Sequence, residues 1–317
     1  MTRPQPIILA APASPENFDE RAYLTENHDV AKAVADGQFT SAWEHYLKHG
    51  KKEGRRQRLT AAVDHARAAK LQRLRPWLRA DMQHAETDGR LNFLTAELLT
   101  QAAIEHADYI SSNSYDERML GLIEKHQGGL ILDCGAGRRD VYYPDVINYE
   151  VQPYDTTDVL GVGEDLPFKD ETFDAVFSIA VLEHVRDPFR CATEIARVMK
   201  PRADLYCCIP FLQPLHGFPN HYFNATVQGA RRLFEDRLII ESVSVPDALH
   251  PIWALHWIIK SWSEGLDEEA RTVFQQARIR DFLSAPSDLL KKPYAARLSA
   301  AKRVELAIGT VLIARKG

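Results

Sequence analysis

Cysteine is scarce in this 317-residue chain and long apolar runs are missing. The four cysteines, Cys134, Cys191, Cys207 and Cys208, lie in or beside apolar stretches, at spacings that suit neither a disulfide framework nor a zinc site. Reduced thiols in a cytoplasmic protein are therefore expected. No stretch has the length needed to span a bilayer, and the N-terminal PIILAAP, led by a single arginine, is too short for a signal peptide, so a soluble chain without a transmembrane segment is expected. Metal-ligand spacing is also absent: His184, His216 and His221 have no acidic partner at a defined interval, and no metal site is expected. Apolar and charged contents of 45% and 26% exclude a disordered chain, and the length allows two compact units.

Charge is unevenly spread. Eleven Lys/Arg between Lys48 and Arg79 face only Glu53 and Asp64, which leaves that stretch near +9 in a chain of net charge −5. Such a segment is suited to an anionic surface or a phosphorylated carrier, with nucleic acid not expected; the alternative is a solvated helix face.

Residues 1–16, with four prolines, read as a loose tail. A small helical module follows over residues 17–57, in which Ser41 and Glu44 are spaced as a capping box and Gly50 stands where a terminating glycine would. Residues 58–110, rich in Ala, Leu, Arg and Gln, read as a basic helical linker. Residues 111–317 then alternate strands and helices, the pattern of a mostly parallel α/β sheet covered on both faces. A helix opened by a Ser114/Glu117 capping box leads into the first strand, and strands are predicted through Val146 to Tyr149, Val159 to Val162, Asp174 to Ala180, Leu205 to Pro210, Leu238 to Val245 and Leu306 to Ala314. A helical insert interrupts them at about 247–301.

Two strand ends carry the chemistry. LILDCGAG, residues 130–137, stops at Asp133 and is followed by Gly135 and Gly137, where a backbone without side chains lets a ligand approach. FDAVFSIAVLEHVRDP, residues 173–188, is a second buried strand that ends in Glu183-His184 and enters a helix capped by Asp187-Pro188. At that entrance Glu183 and Asp187 are read as acceptors for backbone donors. Glu150 ends the strand between them in sequence, where a carboxylate can accept ribose hydroxyls.

With GEDLPFKDETFD (residues 163–174) and EIARVMKP (residues 194–201) added, the pattern resembles the class I S-adenosylmethionine-dependent methyltransferases, in the group with a type-11 methyltransferase domain. The resemblance runs from about Ser111 to Phe234 and resumes at the last strand. It implies a Rossmann-like seven-stranded sheet, mostly parallel with the last strand antiparallel, and S-adenosyl-L-methionine as cofactor. Carried over by position, Asp133, Gly135 and Gly137 face the methionine part, Glu150 the ribose, Glu164, Asp165 and Leu166 the adenine, and Ala180 and Val181 the sulfonium. Three departures stand out. Only eight residues separate Gly137 from Val146, so the usual helix shrinks to a turn, with Arg138 and Arg139 either reaching the cofactor carboxylate or facing solvent. Val162 stands where relatives carry an acidic residue, and Arg202-Ala203 where they carry two glycines.

The acceptor side is less defined. In CIPFLQPLHGFPNHYFNAT, residues 208–226, His216 and His221 are candidate general bases, with Tyr222 and Asn224 orienting the substrate; the alternative is that the histidines fix the loop's backbone. The insert's PIWALHWIIKSW, residues 251–262, is apolar almost all round and reads as a buried lid, or as an interfacial anchor if exposed. The stretch from Tyr23 to Arg55 resembles a short helical module of bacterial surface and glycan-related proteins. Together these suggest O-methylation of a glycan or small-molecule acceptor. Methylation of a quinone-like lipid at the membrane surface, or a non-catalytic binding module on the same fold, are the alternatives.

Overall fold

The computed structural model describes residues 5–104, 114–217, 220–311 and 315. The chain divides into two compact units, Met1–Cys208 and Ile209–Gly317.

The first unit contains, in chain order, the strands β1 (Ile7–Ile8), β2 (Ala10–Pro12), β3 (Arg56–Arg58), β4 (Ala85–Thr87), β5 (Arg90–Asn92), β6 (Ile131–Cys134), β7 (Val141–Tyr142), β8 (Val146–Glu150), β9 (Val159–Leu160), β10 (Phe173–Ile179) and β11 (Met199–Cys208). Seven of them make one sheet in the order β11-β10-β6-β8-β9-β5-β4. Every neighbouring pair is parallel except β5 with β4. From β6 the chain runs outward one way to β8 and β9 and then returns to lay β10 and β11 on the other side. The order reverses between β6 and β10, where open α/β sheets form their ligand crevice. Buried Ile131, Val146, Ala175 and Phe177 fill one face against Met119 of the helix Glu117–Lys125.

The seven-stranded, mostly parallel Rossmann-like sheet is thus present, but its antiparallel member comes from an unexpected place. Residues 85–92, expected within a helical linker, form a hairpin whose turn residues Asp88 and Gly89 both have positive φ (51° and 71°), the requirement of a tight two-residue hairpin turn. The described part of the predicted last strand, residues 306–311, is in no strand, and residues 312–314 lie outside the described residues. Leu238 to Val245 is likewise irregular.

Other predicted boundaries shift for local reasons. Glu117–Lys125 is capped by Asp116, whose carboxylate accepts the Met119 N–H, rather than by Ser114. Ser41 caps Glu44 as expected, but Gly50 is mid-helix, and Gly54 at φ 65° ends that segment. Gly50 is glycine because any side chain there would collide with the Tyr23 hydroxyl.

Part of the basic stretch is internal: Arg58, Arg67 and Lys70 are buried, while Lys48, Lys51, Lys52, Arg56 and Arg75 stay exposed. The helix Ala61–Leu74 lies along the sheet, and its Lys70 is fully buried, with Nζ 2.7 Å from Asp158 Oδ2 and 3.6 Å above the Tyr142 ring. Burial pushes the Lys70 ammonium down to about 8, and the Asp158 charge limits the fall. Asp158 also accepts the Tyr142 hydroxyl and the Asn148 N–H. Arg58 binds Asp155 and the Arg139 carbonyl, Arg73 binds Asp145, and Arg79 binds Asp165. Residues 7–12, expected within a loose tail, instead form β1 and β2, which pair with β7 and with β3 at the end of the helical module.

The second unit is helical among its described residues, packed around Leu266, Ala270, Tyr294 and Leu298. The helix Pro251–Glu264, expected as a buried lid, instead leaves Ile252, Trp253 and Leu255 exposed (55%, 59% and 52%), and Ser261 is its buried residue. Among the described residues no helix is long and apolar enough to cross a membrane.

Removing one member of a buried ion pair leaves an uncompensated charge. Asp158→Ala should therefore lower unfolding stability by about 3–5 kcal/mol. The double variant Lys70→Met/Asp158→Asn should lose less, a ranking that urea denaturation would measure.

Candidate functional site: two acids at adjoining strand tips

Fully buried Asp133 stands near the end of β6, followed by Cys134. Its Oδ2 accepts the Tyr115 hydroxyl at 2.5 Å and two guanidinium N–H groups of Arg139 at 2.5 and 3.1 Å. Arg139 lies 4.4 Å over the Tyr115 ring, and burial pushes the Tyr115 phenol well up, helped by the Asp133 charge. Oδ1 of Asp133 is buried with no hydrogen-bond partner among the described residues. A buried acceptor left in that state is expected where a donor from outside the chain completes the network.

After Asp133 the backbone turns sharply. Gly135 and Gly137 sit at φ 84° and 64°, and the N–H groups of Gly135 and Ala136 both reach the Tyr149 carbonyl (2.9 and 3.1 Å). Gly137 N–H donates to Glu150 Oε2 at 2.7 Å, and Val151 N–H to Oε1 at 2.7 Å. Burial pushes the Glu150 carboxyl up, while these donors pull it back. A carboxylate has about four acceptor positions, so Glu150 retains capacity for hydroxyl donors. Asp133, the two glycines and Glu150 therefore form one hydrogen-bonded corner.

The expected bare notch at Gly135 is partly filled from within the chain. A methyl group added there would collide with Cγ2 of Val181, so glycine is required for Val181 to close on this turn as well as for its φ. Ala180, which precedes Val181, takes a positive φ of 54°, a conformation that costs energy in any residue but glycine, and its N–H donates to the Cys208 carbonyl at 3.0 Å. The ends of β6, β10 and β11 are locked together by these contacts. Glu164 accepts the Arg186 N–H at 3.1 Å, Asp165 pairs with Arg79 at 2.8 Å, and buried Leu166 donates its N–H to Glu194 at 2.9 Å, which fixes the turn after β9.

Neither arginine of the shortened loop faces solvent. Arg139 is given to Asp133, and Arg138 reaches the Glu26 carboxylate (3.2 Å) and the Thr25 carbonyl (3.3 Å) of the N-terminal module. Asp187 caps the following helix by accepting the Arg190 N–H, as expected. Glu183 does not share that role: it is fully buried, and neither carboxylate oxygen has a hydrogen-bond partner among the described residues.

The histidine loop lies in the second unit, with Phe218 and Pro219 outside the described residues. His221 Nδ1 accepts the His216 N–H at 3.2 Å, and its Nε2 lies 2.8 Å from Asn224 Oδ1. With one nitrogen accepting and the other donating, His221 holds the loop in this arrangement. His216 Nδ1 is 2.8 Å from the Pro214 carbonyl, and burial pushes its imidazole down. Tyr222 is 37% exposed.

Residues 140–207 match the family model described as a methyltransferase domain. Together with the sheet order, that match supports a class I methyltransferase fold, for which S-adenosylmethionine is the cofactor. Solved structures similar to the chain include YcgJ from Bacillus subtilis (18% identity, 50% of this chain and 88% of that one, TM-score 0.32). A possible histamine N-methyltransferase from Thermotoga maritima is 18% identical (38% of this chain, 67% of that one, TM-score 0.28). The cyclase SpnF is 16% identical (75% and 88%, TM-score 0.34). No curated protein matches the chain at a significant level.

Gly135→Ala should cost about 1–3 kcal/mol, from the left-handed φ and from overpacking against Val181. Adding Val181→Ala should recover the overpacking part only, which thermal unfolding of the single and double variants would resolve.

Proposed function

We propose that the chain is an enzyme that moves the sulfonium methyl of S-adenosylmethionine to an oxygen of a glycan or small-molecule acceptor. The observation that supports this most directly is the pair of buried acids at adjoining strand tips, with Asp133 Oδ1 lacking a donor among the described residues. Asp133 would accept from the methionine ammonium, Glu150 from the ribose hydroxyls, and Glu164, Asp165 and Leu166 would edge the adenine. Gly135 and Gly137 would shape the turn beneath, and Ala180 and Val181 would wall the reacting methyl.

When bound, the cofactor supplies a methyl group already activated on a cationic sulfur. The chain's own contribution is then alignment of the acceptor in a dry site, worth up to about 7–11 kcal/mol of barrier. The glycan assignment is supported by the likeness of residues 23–55 to modules of bacterial surface and glycan-related proteins. Arg138–Glu26 supports it further, since it ties that module to the loop beside the cofactor corner.

Calorimetry with S-adenosylhomocysteine tests the cradle. Asp133→Asn and Glu150→Gln should each weaken binding by about 10- to 100-fold, the scale of a charge-assisted hydrogen bond, whereas His221→Ala should leave affinity unchanged. Unchanged affinity in both cradle variants would refute the assignment. Labelled S-adenosylmethionine incubated with a fractionated bacterial lysate tests the acceptor. Label in the polysaccharide or small-molecule fraction is expected; label in the lipid phase would point to a quinone-like acceptor, and binding without label to a non-catalytic module.

A further inference from the structure

Glu183 has no place in the cradle just described. It stands in the turn that joins β10 to the helix Pro188–Val198, two residues beyond Val181, and His184 N–H closes that turn on the Val181 carbonyl at 2.8 Å. Val181 in turn closes on Gly135, so the turn that carries Glu183 abuts the glycine turn of the cofactor corner. Within this unit His184 Nε2 lies 3.8 Å from Oε1, and the charge of Glu183 is felt at the thiols of Cys207 and Cys208 at the end of β11. Both thiols are pushed up, first by burial and further by neighbouring groups that include Glu183. Neither oxygen of Glu183 has a hydrogen-bond partner among the described residues, and only its own backbone N–H pulls against the burial. A fully buried carboxyl without partners is costly in a fold that hydrogen-bonds its other strand-tip acids, and a group retained at that cost is expected to serve the reaction.

We infer that Glu183 is the catalytic residue that takes the acceptor's proton, and that its carboxylate faces the charge of the transferable methyl. This rests on the methyl-transfer reading. The acceptor's O–H bond breaks as its O–CH3 bond forms; the proton goes to Glu183, the sulfur keeps the electron pair of the broken S–CH3 bond, and the sulfonium charge is lost. The inferred acceptor is accordingly a neutral hydroxyl rather than a pre-ionised group. Burial pushes the Glu183 carboxyl up to about 7, where a base is matched to neutral working conditions.

The test needs no knowledge of the acceptor. S-adenosylmethionine and S-adenosylhomocysteine differ by the methyl and its positive charge, so the ratio of their affinities reports what faces that charge. A cation within about 4–6 Å lowers a carboxyl's pKa by at least about one unit. In the wild-type protein the affinity ratio should then rise about tenfold in favour of the sulfonium between about pH 5 and about pH 9. A neighbouring imidazole would act in the same direction, so Glu183→Gln should flatten the profile and His184→Asn should preserve it. A flat wild-type ratio, or one that persists in Glu183→Gln and vanishes in His184→Asn, overturns the inference while leaving the cofactor reading intact. Failure of the wild-type protein to bind either ligand overturns both.

Discussion

The buried contact between Lys70 and Asp158 is the constraint from which the rest of the first unit follows. An ammonium and a carboxylate removed from water are held only if their remaining hydrogen-bonding positions are filled. Here Lys70 also donates to the Val146 carbonyl, and Asp158 accepts from Tyr142 and from the Asn148 backbone. Those partners lie on β7, β8 and the approach to β9. One interaction thereby fixes the helix Ala61–Leu74 against the sheet and sets the register of the strand that carries Glu150. Arg67, which donates to the Asp155 carbonyl and lies 3.6 Å from Asp158, and Arg58, bound to Asp155, extend the same anchoring toward the N-terminal module. A net surplus of base in one segment is matched by acids of the sheet's outer strands.

That anchoring gives the shortened loop after Gly137 its role. With no helix between β6 and β8, the loop's polar groups must be satisfied from elsewhere. Arg139 turns inward to Asp133, Arg138 turns outward to Glu26, and the Arg139 carbonyl accepts from Arg58. The N-terminal module thus stands in for the missing helix as the brace of the glycine turn. β1, from the segment before the module, pairs with β7 inside this loop region and braces it from the same side of the chain.

Much of this was legible before any coordinates. The buried strand ending in Asp133, the glycine turn, Glu150 and the strand leading to Val181 are long apolar runs with punctuated ends, and sequence pattern reads such runs well. The hairpin at 85–92 carried its signal too, in Asp88-Gly89, but its strands are three residues each and an Ala- and Arg-rich surrounding outweighed it. The ion pairs of the basic stretch have no local signal, because charge counts over a window do not reveal carboxylates some 70–90 positions away, as Asp145, Asp155 and Asp158 are. Tyr115 has no local signal, since only the fold brings its hydroxyl to Asp133. The helix Pro251–Glu264 shows the converse limit, for an apolar composition sets what would be favourable to bury without stating what covers it.

Glu183 was the hardest to read, and the reason bears on function. An acid at a helix entrance is ordinarily a cap, and Asp187 four positions later does cap that helix, which leaves Glu183 with no structural task. The two buried acids of the crevice thereby acquire opposite surroundings. Asp133 lies under a guanidinium and a phenol that both bind one of its oxygens, whereas Glu183 lies beside an imidazole and is pushed up to about 7 by burial. Carboxyl groups made unlike by their environments are how one site separates holding from proton transfer. A fixed, fully oriented acid suits recognition of a cofactor that must not move. An acid free of hydrogen bonds, whose charge state responds to what is placed beside it, suits the step in which a cation disappears and a proton is released.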